Sequence, residues 1–453
     1  MYRYYRRKPI LGRTALFSSN SGNSVWDSPG SMMRELALRG GYRIFVVSRR
    51  PAEDREALPD GIQAVRYLGH RHLLLLARAS HLVTNTMFPP FFEKREGQRI
   101  MNTWHGTPLK TLGADMPNAL RDIGLTQNQF LMSDYLLFPN DFSRTHLMAA
   151  FFLDKLYTGK VLMCGYPRNA PLFHSERRKA VREALGLGDE LVYVYMPTWR
   201  GESMDTRDTH RHAARLRELL SIMDARLTDG VLVYVKLHPY ELDALPQETF
   251  RHLRRAPGGG DPYDLLCAAD GLISDYSSVV FDFACTGREI ILFPYDLGEY
   301  RTARGLYLEP DALPFPVATD AERLAWLLNA RLSGVRTLQD YPEFMAEYCA
   351  EDSADSPHIA VSTFFFEEAA GGARVIDYRE NARQVWRILP MQGATEAGAG
   401  DEADADDETA LPVFSYESFS EAGARRLRGA DGKLRPFVVT RGGVPPYGIK
   451  EKA

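Results

Sequence analysis

Short apolar runs bounded by turn residues alternate along this chain with longer segments whose apolar positions recur at helical spacing. Residues 14–17 and 42–48 read as strands, with a helix over 29–39 between them that Gly40 and Gly41 end. Segments 62–68, 71–79, 82–86, 99–104, 135–138, 142–152 and 161–164 continue the alternation. A charged stretch, 175–190, interrupts it. The pattern then resumes with strands at 191–195, 231–235, 271–274 and 289–293 and helices at 212–224, 263–269 and 321–332. Such alternation predicts two α/β units, each a parallel sheet wound with helices, joined near residue 170. Ligands of open α/β sheets bind at the carboxyl ends of strands, which is where the polar motifs of this chain fall.

One of those ends is richer than the others. The run Ile273 to Asp282 takes a buried strand into a serine turn and then into apolar residues with helical spacing. Ser277 and Ser278 are natural cap and first-turn residues, and the free N–H groups of a helix start favour an anionic oxygen such as a phosphate. At 453 residues the chain is long enough for two such domains and extra pieces. Net charge of −4 argues against a dedicated nucleic-acid binder. Four cysteines, at 164, 267, 285 and 349, form no CxxC pair, which points to a reducing compartment and away from a disulfide framework. No run approaches the ~18–20 apolar residues of a membrane span. The basic, aromatic start, residues 1–9, lacks the apolar core of a secretory signal and reads as a frayed, solvated end, with contact to an anionic membrane surface as the alternative. Residues 391–410 read as an acidic disordered linker. Residues 411–453 form a tail or small extra segment with strand-like pieces at 413–416 and 436–440.

Several side chains at strand ends carry candidate chemistry. His105 follows a predicted strand, beside Gly106, Thr107, Pro108 and Lys110, and titrates near neutral pH, which suits a general base toward a hydroxyl. Lys236 and His238 share one face of a strand that Pro239 ends, a pair able to clamp a diphosphate. Thr198 and Arg200 end the preceding strand as hydrogen-bond donor and phosphate ligand. Asp275 and Asp282 bracket the serine turn, where orienting a histidine or binding ribose hydroxyls fits better than acid–base work beside a phosphate. Arg304 lies in a polar loop and either contacts substrate or pairs with an acidic residue. The His70/His72 and His210/His212 pairs read as solvated, and no metal, cofactor or Walker A motif is implied.

These motifs occur together. TWHGTPLK at 103–110, GYPRN at 165–169, PTWR at 197–200, KLHP at 236–239, SDYSS at 274–278 with Asp282, and FPYD at 293–296 with Tyr300, Arg304 and Gly305 resemble, in order and spacing, the CDP-glycerol glycerophosphotransferases of teichoic acid and capsule synthesis. The resemblance covers roughly residues 14–390. It implies a GT-B-like pair of Rossmann-type domains facing a cleft, 1–170 on the acceptor side and 171–390 on the donor side, with attachment to the inner face of a bacterial membrane. It also implies a CDP-activated polyol as donor and a lipid-linked glycan or polyol-phosphate acceptor. By matching positions, His105 is the acceptor-side base, and His238, Ser277, Ser278 and Arg200 hold or activate the donor diphosphate; Arg168, Thr198, Lys236 and Arg304 belong to the same motifs. Two departures, PFP at 314–316 and DSADS at 352–356, fall where polyol or acceptor choice is set. A glycosyltransferase of the same architecture using a nucleotide sugar, and a non-catalytic binding member of a surface-polymer assembly, are the alternatives.

Overall fold

The computed structural model describes residues 1–116, 123–198, 206–237, 250–303, 305–335, 340–380, 386–390, 413–414 and 437–441. Two parallel sheets carry the main body. The first contains β1 (Leu11–Ser18), β2 (Arg43–Ser48), β3 (Gln63–Arg66), β4 (Ala79–Thr84), β5 (Arg99–Asn102), β6 (Tyr135–Phe138) and β7 (Lys160–Met163). The second contains β8 (Leu191–Met196), β9 (Val231–Val235), β10 (Leu253–Arg255), β11 (Gly271–Ser274) and β12 (Glu289–Leu292). Strands such as β6, β9 and β12 are almost continuously apolar because both sheet faces are covered, whereas the edge strands β3 and β10 are partly polar.

Strand order fixes where ligands can bind. The first sheet runs β7-β6-β5-β4-β1-β2-β3, with β13 (Arg374–Asp377) at its edge beside β7, and the second runs β10-β9-β8-β11-β12. Both reverse direction at one place, between β1 and β4 and between β8 and β11. Loops on either side of such a reversal diverge and leave a crevice at the strand carboxyl ends. Most predicted strands recur within a residue or two of their expected limits, β1 and β4 each begin three residues earlier than expected, β10 was not expected, and the helix expected over 29–39 spans Asp27–Arg39.

The chain departs from the expected division at 170 and 390. After the second sheet it returns to the first: Ile359, Phe364 and Phe365 are buried with Phe17, Val46 and Leu162 in the first sheet's core, and Phe365 stacks on His81 at 5.1 Å. Glu351 and Asp352 lie against Gly165, whose φ is +69°, and a Cβ there would fall 2.5 Å from the Asp352 Cα. Glycine is required at that crossing both by its left-handed backbone and by the lack of room. A separate small unit contains an antiparallel sheet of β14 (Trp386–Pro390) between β15 (Val413–Phe414) and β16 (Phe437–Arg441). The strand-like pieces expected in the tail thus pair with a segment ahead of the acidic stretch. The 391–410 linker lies outside the described residues.

Two expectations of solvation are corrected. Residues 2–5 form a helical turn whose Tyr2 is buried against Phe91, ring centroids 5.2 Å apart. Arg6 pairs with Glu93 at 2.5 Å, and Tyr5 hydrogen-bonds His70, so the start of the chain is docked. His72 is buried as well. Its Nδ1 accepts the Leu68 N–H at 2.9 Å, and burial lowers its pKa to about 4, which keeps the ring neutral and fit for an apolar surrounding. The side chains of His210 and His212 lie outside the described residues, as does the Arg304 expected at the polar loop.

Candidate functional site

A cleft of about 370 Å³ opens between the carboxyl ends of the two sheets, lined on one wall by residues 104–110 and on the other by Pro197, Thr198, Tyr276, Ser277 and Ser278. The first wall follows β5. Trp104 has a left-handed backbone, φ 51°, which a tryptophan adopts only where the surroundings hold it. Its ring lies 4.0 Å from that of His105 and packs on Phe130. His105 turns into the cleft with an open face, and its Nδ1 lies 2.8 Å from the Asn85 carbonyl oxygen. A carbonyl only accepts, so Nδ1 carries the hydrogen and Nε2 the basic lone pair. Asn85 directly follows β4 at the reversal of the first sheet, and its side chain accepts the Asn20 N–H at 2.8 Å. The fold therefore sets the tautomer of His105 through a backbone group that no motif marks.

Burial lowers the pKa of His105, opposed by the Asn85 hydrogen bond and by Asp27, and reinforced by Arg168. The shift favours the neutral imidazole, the form able to take a proton. Gly106 brings this loop against the serine turn, since a Cβ on it would lie 2.2 Å from Ser278 Oγ and 2.6 Å from Ser278 Cβ. Its N–H donates to the Tyr166 hydroxyl at 3.1 Å. Thr107 lines the cleft but is buried, its hydroxyl taken by Asn140 at 3.1 Å and Ser143 at 3.2 Å, so it shapes the wall. Lys110 places its ammonium 5.5 Å from the centre of the Tyr300 ring, which stacks on Tyr276 at 3.8 Å.

On the second wall, β11 runs into the serine turn and a helix over Val279–Ala284, as the sequence pattern predicts. That helix has six residues, so its dipole is short, and the hydroxyls and turn N–H groups are the donors that count. Ser278 makes no side-chain cap hydrogen bond, and Ser277 Oγ accepts the Val279 N–H at 3.4 Å. Asp275 is fully buried and takes the Thr198 N–H at 2.9 Å and the Tyr276 N–H at 2.6 Å. It ties the end of β8 to the turn across the reversal of the second sheet and contacts no solvent.

Arg168 and Asp282, expected at the substrate, are instead partners inside the protein. Arg168 Nη2 meets Asp282 Oδ2 at 2.8 Å, with side-chain exposures of 4% and 2%. Asp282 also accepts from the Tyr263 hydroxyl at 2.7 Å, which leaves it no access to a ribose. Lys236 is half-buried, outside the residues lining the cleft. Burial lowers its pKa, and Asp261 opposes that shift. Arg200 and His238 lie outside the described residues.

Beside this pair stands Asp352, which accepts the Tyr166 N–H and the Asn169 side-chain amide, each at 2.9 Å. Burial pushes its carboxyl up to about 7. A raised carboxyl contributes stability that is full below its unfolded pKa and is lost as pH rises through the folded one. Asp352→Asn mimics the protonated form. The wild type is expected to lose stability relative to this variant as pH rises from about 4 to about 8 in denaturant titrations, whereas curves that stay parallel would show no such proton.

An imidazole on one wall and serine hydroxyls on the other, at the carboxyl ends of two Rossmann-type sheets, define a protein of GT-B-like fold. The chain belongs to the CDP-Glycerol:Poly(glycerophosphate) glycerophosphotransferase family, whose model matches residues 1–362. A teichoic acid poly(glycerol phosphate) polymerase of Staphylococcus epidermidis is 29% identical over 365 residues, 76% of this chain and 49% of the relative. A teichoic acid glycerol-phosphate transferase of Staphylococcus aureus is 29% identical over 367 residues, 77% of this chain and 92% of the relative. The chain thus spans about half the length of the polymerase and most of the transferase. Among solved structures, the wall teichoic acid polymerase TagF superposes with a TM-score of 0.69 at 25% identity, covering 81% of this chain and 92% of that one.

Proposed function

We propose that the protein transfers glycerol phosphate, or a related polyol phosphate, from its CDP conjugate to a hydroxyl of a lipid-linked or growing cell-surface polymer, releasing CMP. The observation that carries this reading is His105, held as the Nδ1–H tautomer by Asn85 and facing the serine turn across the cleft. His105 takes the proton of the acceptor hydroxyl as its oxygen attacks the phosphorus that bears the polyol. The bond from that phosphorus to the CMP oxygen breaks, and CMP leaves. Ser277 and Ser278 donate to the phosphoryl oxygens, and Lys110, Lys236, Arg200, His238 and Arg304 are assigned to the surrounding anionic groups. Catalysis of this kind consists chiefly of positioning and electrostatic stabilisation. Family membership and the names of the relatives, polymerases, transferases and primases of glycerol phosphate, support the donor class. Among the described residues no helix is long and apolar enough to cross a membrane. The place of action assigned here is the inner face of the cell membrane, with exposed Met1, Tyr4 and Phe91 beside Arg3 and Arg7 as the contacting patch.

The test is a donor screen. The protein is incubated with a synthetic lipid-linked acceptor and CDP-glycerol, CDP-ribitol or a UDP-sugar, and nucleotide release and product mass are read together. CMP with a mass gain of one glycerol phosphate is expected. Release of UDP with a sugar added to the acceptor would replace this reading with that of a glycosyltransferase.

A further inference from the structure

We propose that Arg168 is a positioning residue of the transfer: its guanidinium holds Asp27 and the His105 carbonyl on one side and Asp282 on the other, and so keeps the base loop in place against the serine turn. This rests on the reading of His105 as the base. Arg168 Nη1 donates to the His105 carbonyl at 3.0 Å and to Asp27 Oδ2 at 3.2 Å, while Nη2 reaches Asp282. Asp282 lies in the short helix that begins directly after Ser278. Asp27 opens the helix over Asp27–Arg39 with a left-handed backbone, φ 68°. One planar fork therefore joins three elements: the loop of His105, the helix that follows β1 and the helix that follows the serine turn. Lysine, with a point charge and no fork, cannot hold all three.

Stability alone gives a weak reason for this arrangement. A buried ion pair is often no better than apolar residues of the same volume, because both charges lose their water. Here the cost is higher still, for Arg168 Nε is buried with no hydrogen-bond partner among the described residues. What the arrangement does supply is a fixed position and a balanced field at the imidazole. Asp27 favours the protonated ring and Arg168 disfavours it. The Asn85 carbonyl at its Nδ1 and the Trp104 ring beside it are neutral, and Lys110 is a further cation lining the same cleft.

A loss of packing and a loss of positioning differ in what they do to His105. Histidine NMR titrations, with the His105 signal assigned by its absence in His105→Ala, are run on the wild type, Arg168→Met and Asp27→Asn without any donor. Arg168→Met is expected to move the titration of His105 to higher pH and Asp27→Asn to lower pH. In steady-state assays Arg168→Lys is expected to lower kcat by about 10- to 100-fold with KM within about twofold. Shifts of the same sign in both charge variants, an unmoved His105, or a raised KM at unchanged kcat for Arg168→Lys would overturn the proposal. If Arg168→Met fails to fold by its melting curve, Asp27→Asn and Arg168→Lys still decide it. The titrations need no substrate, so they stand apart from a failure of the wild type to release CMP from CDP-glycerol, which would refute the transfer reading instead.

Discussion

Replacing His105 by alanine is expected to lower CMP release by ~10²–10⁴-fold, the usual contribution of a positioned general base. Binding of CDP-glycerol, followed by calorimetry, should change little if the imidazole acts on the acceptor, as proposed. The dependence on pH carries the sign. A base must be unprotonated to act, so the rate of the wild type falls as pH drops through the pKa of His105. Burial holds that pKa below the usual 6.5, and the acid limb of the profile should lie there. In His105→Ala the residual rate should lose this limb. A variant that kept most of its activity, or kept the limb, would assign the proton transfer to another group.

Gly106→Ala is expected to lower kcat/KM by about 100-fold, the scale of a misplacement of about 1 Å at reacting groups. The added methyl would meet Ser278 at 2.2 Å and 2.6 Å, separations that real side chains do not tolerate. Turning the Ser278 hydroxyl away relieves the first contact only, because the second is to its Cβ. The two walls must therefore move apart where the His105 loop meets the serine turn. Since the contact lies at an open cleft, the thermal midpoint should change by only a few degrees, as for ~1 kcal/mol in a domain of this size. Full activity in Gly106→Ala would show that the two walls are free to adjust to one another during turnover.

Much of the fold was legible because periodicity is a local property. The β strands at 135–138 and 231–235 coincide with their predicted limits, and the helix at 321–332 does too. The place of His105 in the cleft was legible for a related reason: it stands at a strand end among glycine, threonine and proline, residues that make a loop and leave a side chain at its surface. Asn85 was not, because its role is played by a backbone carbonyl, and a carbonyl has no signature in sequence. Tyr2 was misread because it sits in a basic stretch, and the apolar surface that covers it comes from distant segments; His72 was misread because it stands beside Arg71, while its ring packs on Tyr67. The GYPRN motif shows the same limit from the other side. It marked Arg168 as important without indicating whether the guanidinium faces a phosphate or a carboxylate.

Composition and spacing alone were enough to establish two wound sheets, the strand ends that carry polar residues, and the serine turn as the start of a helix, since each depends on neighbours within a few residues. The division of labour among those polar residues came from packing. Asp282 and Arg168 are 114 residues apart in the chain and 2.8 Å apart in space, and that encounter makes two expected substrate-binding residues into an internal clamp. A charge drawn into the interior must find its opposite, and which residue supplies it depends on how the two sheets face each other.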